Sequence, residues 1–514
     1  MGASKKTQLF RFVAALSAPE KAYFKKYVYK ATAVNSATLD LFNLIDKQLK
    51  KGAEVDEERL QKDWLKKQPS GDYVKVKSRL LQQLLDTLRD YDRRHNSESK
   101  IFDLLEYAQS LSERELFEDA IKMLAKAEKL ADELELLGLG LMIRQKRYSF
   151  EISAQTYTAK NEQSAVLKEM EQQLNVLQEG LAADQFIYNI LHYQKTIGTP
   201  RNQQEQAQLQ QLLAHPSFKA SYQPPLSNTR LDIAIARSGV CFSSGQAAAA
   251  LEHCVAALED HPENPKLANK YLAKYLSVYD CLLQAALLSF QFAVYEKYLP
   301  QFYELKATAV RDKQLKAAIG LYAEAMHSIV AQQIGRFEAL IPRFHQVREG
   351  DFVPTYRKVS LAYYMITGAF LAETFEQAYD LIQWLRNNQH LGIRLDIEVP
   401  VRIMECLVLL EQEQYDLLAY QLRAFYEFSR SRQRIAASEK IILKMLQQSL
   451  RCVNEKERQE LYKSKQAELI ACSSADMVEH HFLSTCGALS WLEYKVSGTP
   501  LNLCYAQRYL PATS

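Results

Sequence analysis

The stretch Gly245-Gln-Ala-Ala-Ala-Ala-Leu-Glu-His-Cys-Val-Ala-Ala-Leu-Glu-Asp-His-Pro262 decides the fold. Ala247, Ala250, Cys254 and Ala257 fall three or four residues apart, the spacing of one helix face. A small residue such as Ala250 lets the two helices of a hairpin approach closely. The larger residue one turn later fills the gap beside the next hairpin. Pro262, which cannot donate a backbone hydrogen bond, is expected to stop this second helix.

Five other segments keep part of the frame. They are Phe117-x-x-Ala120-x-x-x-Leu124-x-x-Ala127, Phe292-x-x-Tyr295-x-x-x-Leu299-x-x-Phe302 and Gly335-x-Phe337-x-x-Leu340-x-x-x-Phe344-x-x-Val347. Phe375-x-x-Ala378-x-x-x-Ile382-x-x-Leu385 and Tyr415-x-x-Leu418-x-x-x-Leu422-x-x-Phe425 complete the set. Units starting at 247, 292, 337, 375 and 415 are 45, 45, 38 and 40 residues apart. A fixed period of this size is the mark of stacked helical hairpins.

The composition agrees. Glycine (16) and proline (14) are scarce in 514 residues, and a fold of many short strands joined by tight turns needs far more of both. Hydrophobic residues at 47% and charged residues at 24% exclude bulk disorder. The expected fold class is all-α: a tetratricopeptide-like α-solenoid of helical hairpins behind a basic N-terminal helical domain.

Within that plan, residues 1–97 read as a basic domain of four or five helices. Ser17-Ala-Pro-Glu20 is a capping box that opens one of them. Val76, Leu80, Leu81, Leu84, Leu85, Leu88 and Tyr91 form the apolar face of a long later helix. A first repeat block covers 98–195, an irregular connection 196–230 and a second block 231–470. Residues 471–514 hold a capping helix at Ser484–Lys495 with Trp491 buried, then a Gly498/Pro500 turn and a tail.

The residues at 245–262 resemble tetratricopeptide-repeat proteins, whose pattern is glycine, aromatic, alanine, aromatic, alanine and proline at these offsets. That resemblance implies that the first helix of each hairpin lines a concave, partner-binding surface. Threading the frame places Asp280, Gln284, Tyr322, Gln332, Tyr363 and Thr367 there. Ser17–Phe24, the helix at Leu80–Tyr91 and Leu489-Ser-Trp-Leu-Glu493 also resemble a family of helical proteins of Bacteroidota bacteria. That family has no assigned chemistry, so the likeness implies only this fold and a cytoplasmic location.

Residues 1–100 carry 21 Lys+Arg against 13 Asp+Glu, and the remainder 43 against 48. A basic head on a faintly acidic body can favour an anionic partner. Lys25, Lys26, Lys75, Lys77, Arg79, Arg93 and Arg94 are the candidate contacts to nucleic acid, with Tyr23, Tyr27 and Tyr91 available for stacking. A solvated helical surface is the plainer reading of the same charges.

Catalytic chemistry is not legible. No phosphate-binding loop, Gly-x-Ser-x-Gly elbow or His-Glu-x-x-His occurs. Gly138-Leu-Gly140 lacks the third glycine and preceding strand of a dinucleotide site. Glu324-x-x-His327 has no second copy to complete a di-iron set. Cys472, His480, His481 and Cys486 match no common zinc spacing. No metal and no cofactor are expected. All eight cysteines lie from residue 241 onward without a Cys-x-x-Cys pair, which suits a reducing compartment. The longest uncharged runs, 281–295 and 359–372, are too short to span a bilayer. The expected function is a cytoplasmic, non-catalytic scaffold or adaptor holding a protein segment in the groove. The alternative is a regulator touching nucleic acid through residues 1–97.

Overall fold

The computed structural model describes residues 8–31, 37–50, 56–95, 97–154, 160–198, 200, 203–219, 222, 224, 226–259, 265–388, 395–431 and 436–510. The described residues are mostly helical, with no strand among them. Pro262 and the N-terminal seven residues lie outside them, as do the side chains of Arg94 and His95.

The N-terminal helices are α1 (Gln8–Ala15), α2 (Ala18–Ala31), α3 (Ala37–Lys50), α4 (Glu57–Lys67) and α5 (Tyr73–His95). The capping box forms as expected: Ser17 N–H donates to Glu20 Oε2 at 2.6 Å, and Glu20 N–H donates to Ser17 Oγ at 3.5 Å. Asp56 caps α4 by accepting from Arg59 N–H at 3.1 Å. Phe24, Phe42, Ile45, Trp64, Leu80 and Leu84 close a core separate from the rest. One residue of the expected α5 face departs: Leu85 is exposed, because α2 and α3 cover only the stripe through Leu80 and Leu84.

Next come α6 (Ser97–Ser112), α7 (Phe117–Glu133), α8 (Leu137–Ser153) and α9 (Lys160–Thr196). The irregular connection holds α10 (Gln203–Leu213) and a 3-10 turn at Pro216–Phe218. Ala120, Leu124, Ala127 and Ala131 pack against Ile101, Ala108 and Ile143 in a second core. A third core joins Ala183, Phe186 and Ile190 of α9 to Leu209 and to Ile233, Ala236 and Val240.

The second half runs through α11 (Ser227–Ser243), α12 (Ala247–Glu259), α13 (Pro265–Lys270), α14 (Leu272–Leu288), α15 (Phe292–Glu304), α16 (Val310–Val330) and α17 (Phe337–Arg348). It continues with α18 (Thr355–Leu371), α19 (Phe375–Asn387), α20 (Leu395–Glu411), α21 (Tyr415–Ser431), α22 (Ala437–Ser449) and α23 (Glu455–Ala475). Helices α12, α15, α17, α19 and α21 begin at the residues that open the sequence frame. Ala250, Cys254, Phe344, Ala378, Ile382, Leu385 and Leu418 on them are fully buried. In the weakest unit Tyr298, one position before Leu299, is the buried residue.

Each of these five pairs with the helix before it: α11 with α12, α14 with α15, α16 with α17, α18 with α19, and α20 with α21. First helices also touch successive first helices along α11, α14, α16, α18 and α20. Each turn closes the same way. The second residue beyond the helix takes a left-handed conformation: Gly245 at φ 73°, Phe290 at 57°, Gln332 at 58°, Glu373 at 59° and Glu413 at 56°. The next amide reaches back to the carbonyl five residues earlier, Gln246 to Cys241 at 2.8 Å, Gln291 to Ala286 at 2.7 Å and Gln414 to Leu409 at 2.9 Å. This 6→1 bond satisfies a carbonyl that would otherwise end the helix unpaired. Glu115 and Glu135 repeat the device at the ends of α6 and α7.

The chain's end differs from its sequence reading. Gly487, left-handed at φ 63°, splits the expected Ser484–Lys495 helix into α24 (Met477–Cys486) and α25 (Ala488–Ser497). The Gly498 turn leads to a further helix, α26 (Leu501–Tyr509), in place of a tail. Trp491 is fully buried, as expected. One core runs from Leu231 to Leu501, so residues 471–510 belong to the same packed unit as the hairpins before them.

Candidate partner-binding surface

The six residues threaded onto a groove occupy α14, α16, α18 and one turn. Asp280, Tyr322 and Thr367 are buried, and Gln284 and Tyr363 are half-buried. Asp280 forms an ion pair with Arg357, both nearly inaccessible. The Arg357 guanidinium lies between the Tyr322 ring at 5.4 Å and the Tyr356 ring at 5.3 Å. Tyr322 donates its hydroxyl to Gln284 Oε1 at 3.2 Å and meets Tyr364 edge-on at 5.0 Å. Burial raises the Asp280 carboxyl against the pull of Arg357. Burial alone would lower Arg357, but Asp280 beside it lifts the guanidinium above its ordinary value. Five of the six therefore share one polar seam between helices.

The expectation that they line an open groove needs correcting for a physical reason: the chain's own end covers the last of them. Tyr363 donates to the Thr485 carbonyl at 2.7 Å. Trp491 Nε1 donates to Glu411 Oε1 at 2.7 Å, and Leu501 N–H donates to Glu373 Oε1 at 3.0 Å. Helices α24 and α25 pack on α20, and α26 on α18. The Thr367 hydroxyl turns inward to the Tyr363 carbonyl at 2.9 Å. Gln332 stands apart, as the left-handed residue that closes α16.

An open cleft of about 300 Å³ lies elsewhere, between α12, α13, α14 and α15. Tyr275, Tyr279 and Tyr298 form its wall, with Leu272 and Leu305 beside them and Lys297 and Lys306 at the rim. Tyr279 and Tyr298 meet edge-on at 6.4 Å, and Lys297 sits over the Tyr298 ring at 4.8 Å. The Tyr279 hydroxyl donates to Gln301 Oε1 at 3.4 Å, a long bond. Burial is the main cause that pushes the Tyr275 hydroxyl up to about 12, so it stays a neutral donor. Sequence reading missed this cleft. Its signal was present as tyrosines at 275, 279 and 298, but the repeat frame says nothing of which gaps between helices stay unfilled.

The cations of the basic head mostly face carboxylates. Lys77 pairs with Glu57, Lys75 with Asp72 at 3.5 Å and Lys25 with Asp46 at 3.9 Å. Arg93 holds Asp103 at 3.0 Å and Glu106 at 3.3 Å. Lys26 and Arg79 are exposed. Tyr91 packs edge-on against Tyr23 at 5.2 Å, so neither ring is presented as a free stacking platform.

The other candidates resolve locally. Glu324 accepts from Arg343 at 2.9 Å and from the Tyr303 hydroxyl at 2.6 Å. His327 stacks on Tyr295 at 4.8 Å, and burial lowers its affinity for a proton. His480 Nδ1 lies 2.9 Å from Ser473 Oγ, and Cys486 is buried. Among the described residues no group of three or more His, Cys, Asp or Glu is placed to hold a metal ion. Gly140 packs close to Arg144 and Asp132 in the first turn of α8. No helix among the described residues is long and apolar enough to cross a membrane. No protein-family model matches the chain, and no curated protein matches it.

Proposed function

We propose that the chain is a non-catalytic α-solenoid scaffold or adaptor of the tetratricopeptide-like kind, working in the cytoplasm and holding a segment of another protein. The observation that carries this is the recurring hairpin closure. Left-handed residues at 245, 290, 332, 373 and 413 each join a first helix to a second, and the first helices touch in succession. Such stacking gives a long, rigid surface, so a bound segment need not be matched by ordering of the receptor.

The partner segment docks at the tyrosine cleft and not at the filled seam. Three buried rings provide apolar, amphipathic walls for one aliphatic or aromatic anchor. Lys297 and Lys306, against the one carboxylate of the lining, Glu259, favour a carboxylate beside that anchor, either an acidic neighbour or the segment's own terminus. The experiment is affinity capture from native lysate with the intact chain and with a Lys297→Glu/Lys306→Glu variant. One protein in near-stoichiometric yield, lost from the variant, supports the reading. Equal recovery by both, or no stoichiometric partner, overturns it.

A further inference from the structure

Helix α9 is 37 residues long. Its inner face, Ala183, Phe186, Ile190 and Tyr193, is buried against α10 and α11. On other faces lie Leu167 (50% exposed), Leu174 (46%), Leu181 (69%) and Tyr188 (65%), with Leu191 at 51%. The first four are spaced by seven, and Leu191 follows Tyr188 by three. A heptad of this kind is the period of a helix–helix seam, because it keeps one stripe facing a second helix. Isolated exposed leucines need no explanation, but a ladder of them does.

We propose that this stripe is a self-association surface, pairing α9 with α9 of a second copy of this chain about a two-fold axis beside Leu181. The axis sets Leu174 of one copy opposite Tyr188 of the other, so the same patch serves both sides. Three observations favour a second copy as the occupant. First, Gln173, Gln178 and Gln185 flank the middle of the stripe without charge, and Glu171, the carboxylate beside its first turn, falls opposite Leu191 in an antiparallel pair, so two identical helices meet with little like-charge repulsion. Second, Asp184 is the polar residue in the stripe. Run antiparallel, it falls opposite the Gln178 amide, whereas a parallel pair would set two carboxylates together. Third, the five side chains leave roughly 500 Å² exposed on each copy, so pairing removes roughly 1,000 Å², the lower bound for a specific interface.

The test is sedimentation velocity on the full chain from about 5 to 100 μM, a range that brackets micromolar association. The wild type is expected to sediment at twice the 59.0 kDa of one chain as concentration rises. Leu174→Lys/Leu181→Lys and Leu174→Glu/Leu181→Glu alter exposed positions, so each is expected to keep the wild-type circular dichroism and melt. Each is expected to associate at least about 100-fold more weakly, since it sets like charges together in the seam. An equimolar mixture of the two recovers association, because position 181 lies on the axis and faces its own counterpart, where opposite charges then meet. A wild type that stays a single chain throughout overturns the proposal. So does a dimer that survives the lysine pair, or a mixture that stays monomeric.

Discussion

Replacing Arg357 by Met is expected to be among the costliest single changes in the second half of the chain. The guanidinium and the Asp280 carboxylate keep only 8% and 4% of their side-chain surface. The variant leaves the carboxylate among Tyr322, Gln284 and packed helices, with its pairing cation gone. A buried charge stripped of its partner costs about 3–5 kcal/mol. The neutral double variant Asp280→Leu/Arg357→Met removes both desolvation penalties and is expected to lie within about 1 kcal/mol of wild type. Hydrogen exchange of amides in α14, α16 and α18, with urea melts followed by circular dichroism, reads both values locally. This readout avoids treating a chain of 514 residues as two-state. If Arg357→Met costs less than about 1 kcal/mol, the value of an exposed ion pair, the seam is open to water and the reasoning fails.

Gly245→Ala is expected to cost about 1 kcal/mol although nothing lies within 4 Å of the added carbon, because φ of 73° penalises any side chain. Glu413→Gly is expected to gain about 0.5–1 kcal/mol at the equivalent turn, where relief of left-handed strain outweighs the added chain entropy; in urea melts, a Gly245→Ala that is not destabilised or a Glu413→Gly that is would show that the turns are not equivalent. Burial, aided by Arg237, lowers His253 to about 4 from an ordinary 6.5, so the unfolded chain takes up a proton first as pH falls. Stability is therefore full above pH 6.5 and lost progressively toward pH 4, by roughly 1–2 kcal/mol once the solvent reaching the ring is allowed for, and His253→Gln should flatten that slope. The full chain is expected not to bind mixed-sequence duplex DNA even at low salt, since Lys25, Lys75, Lys77 and Arg93 face carboxylates. Binding that weakens steeply with salt would restore Lys26 and Arg79 as phosphate contacts.

What the sequence made legible follows periodicity. Helix starts at 247, 292, 337, 375 and 415 and the buried positions Ala250, Ala378 and Leu385 were readable because a helix face repeats every three or four residues. The turns were half-legible. Gly245 announces a left-handed residue, but Phe290, Gln332, Glu373 and Glu413 adopt the same conformation with nothing in their type to mark it. The seam was misjudged because Asp280 looks like a solvent-facing acid until Arg357, 77 residues later, is brought against it. The covering of Tyr363 and Thr367 depends on a contact 122 residues away, at Thr485. Such long-range pairings leave no local trace, and neither does an unfilled gap such as the tyrosine cleft.

The most direct test of the scaffold reading is a hydrogen-exchange footprint of the full chain bound to the protein it captures. Protection is expected over 268–306, across α14, α15 and the cleft they border, with α20 and α24–α26 unchanged. Protection confined to residues 1–97, or exposure of α24–α26 on binding, would contradict it.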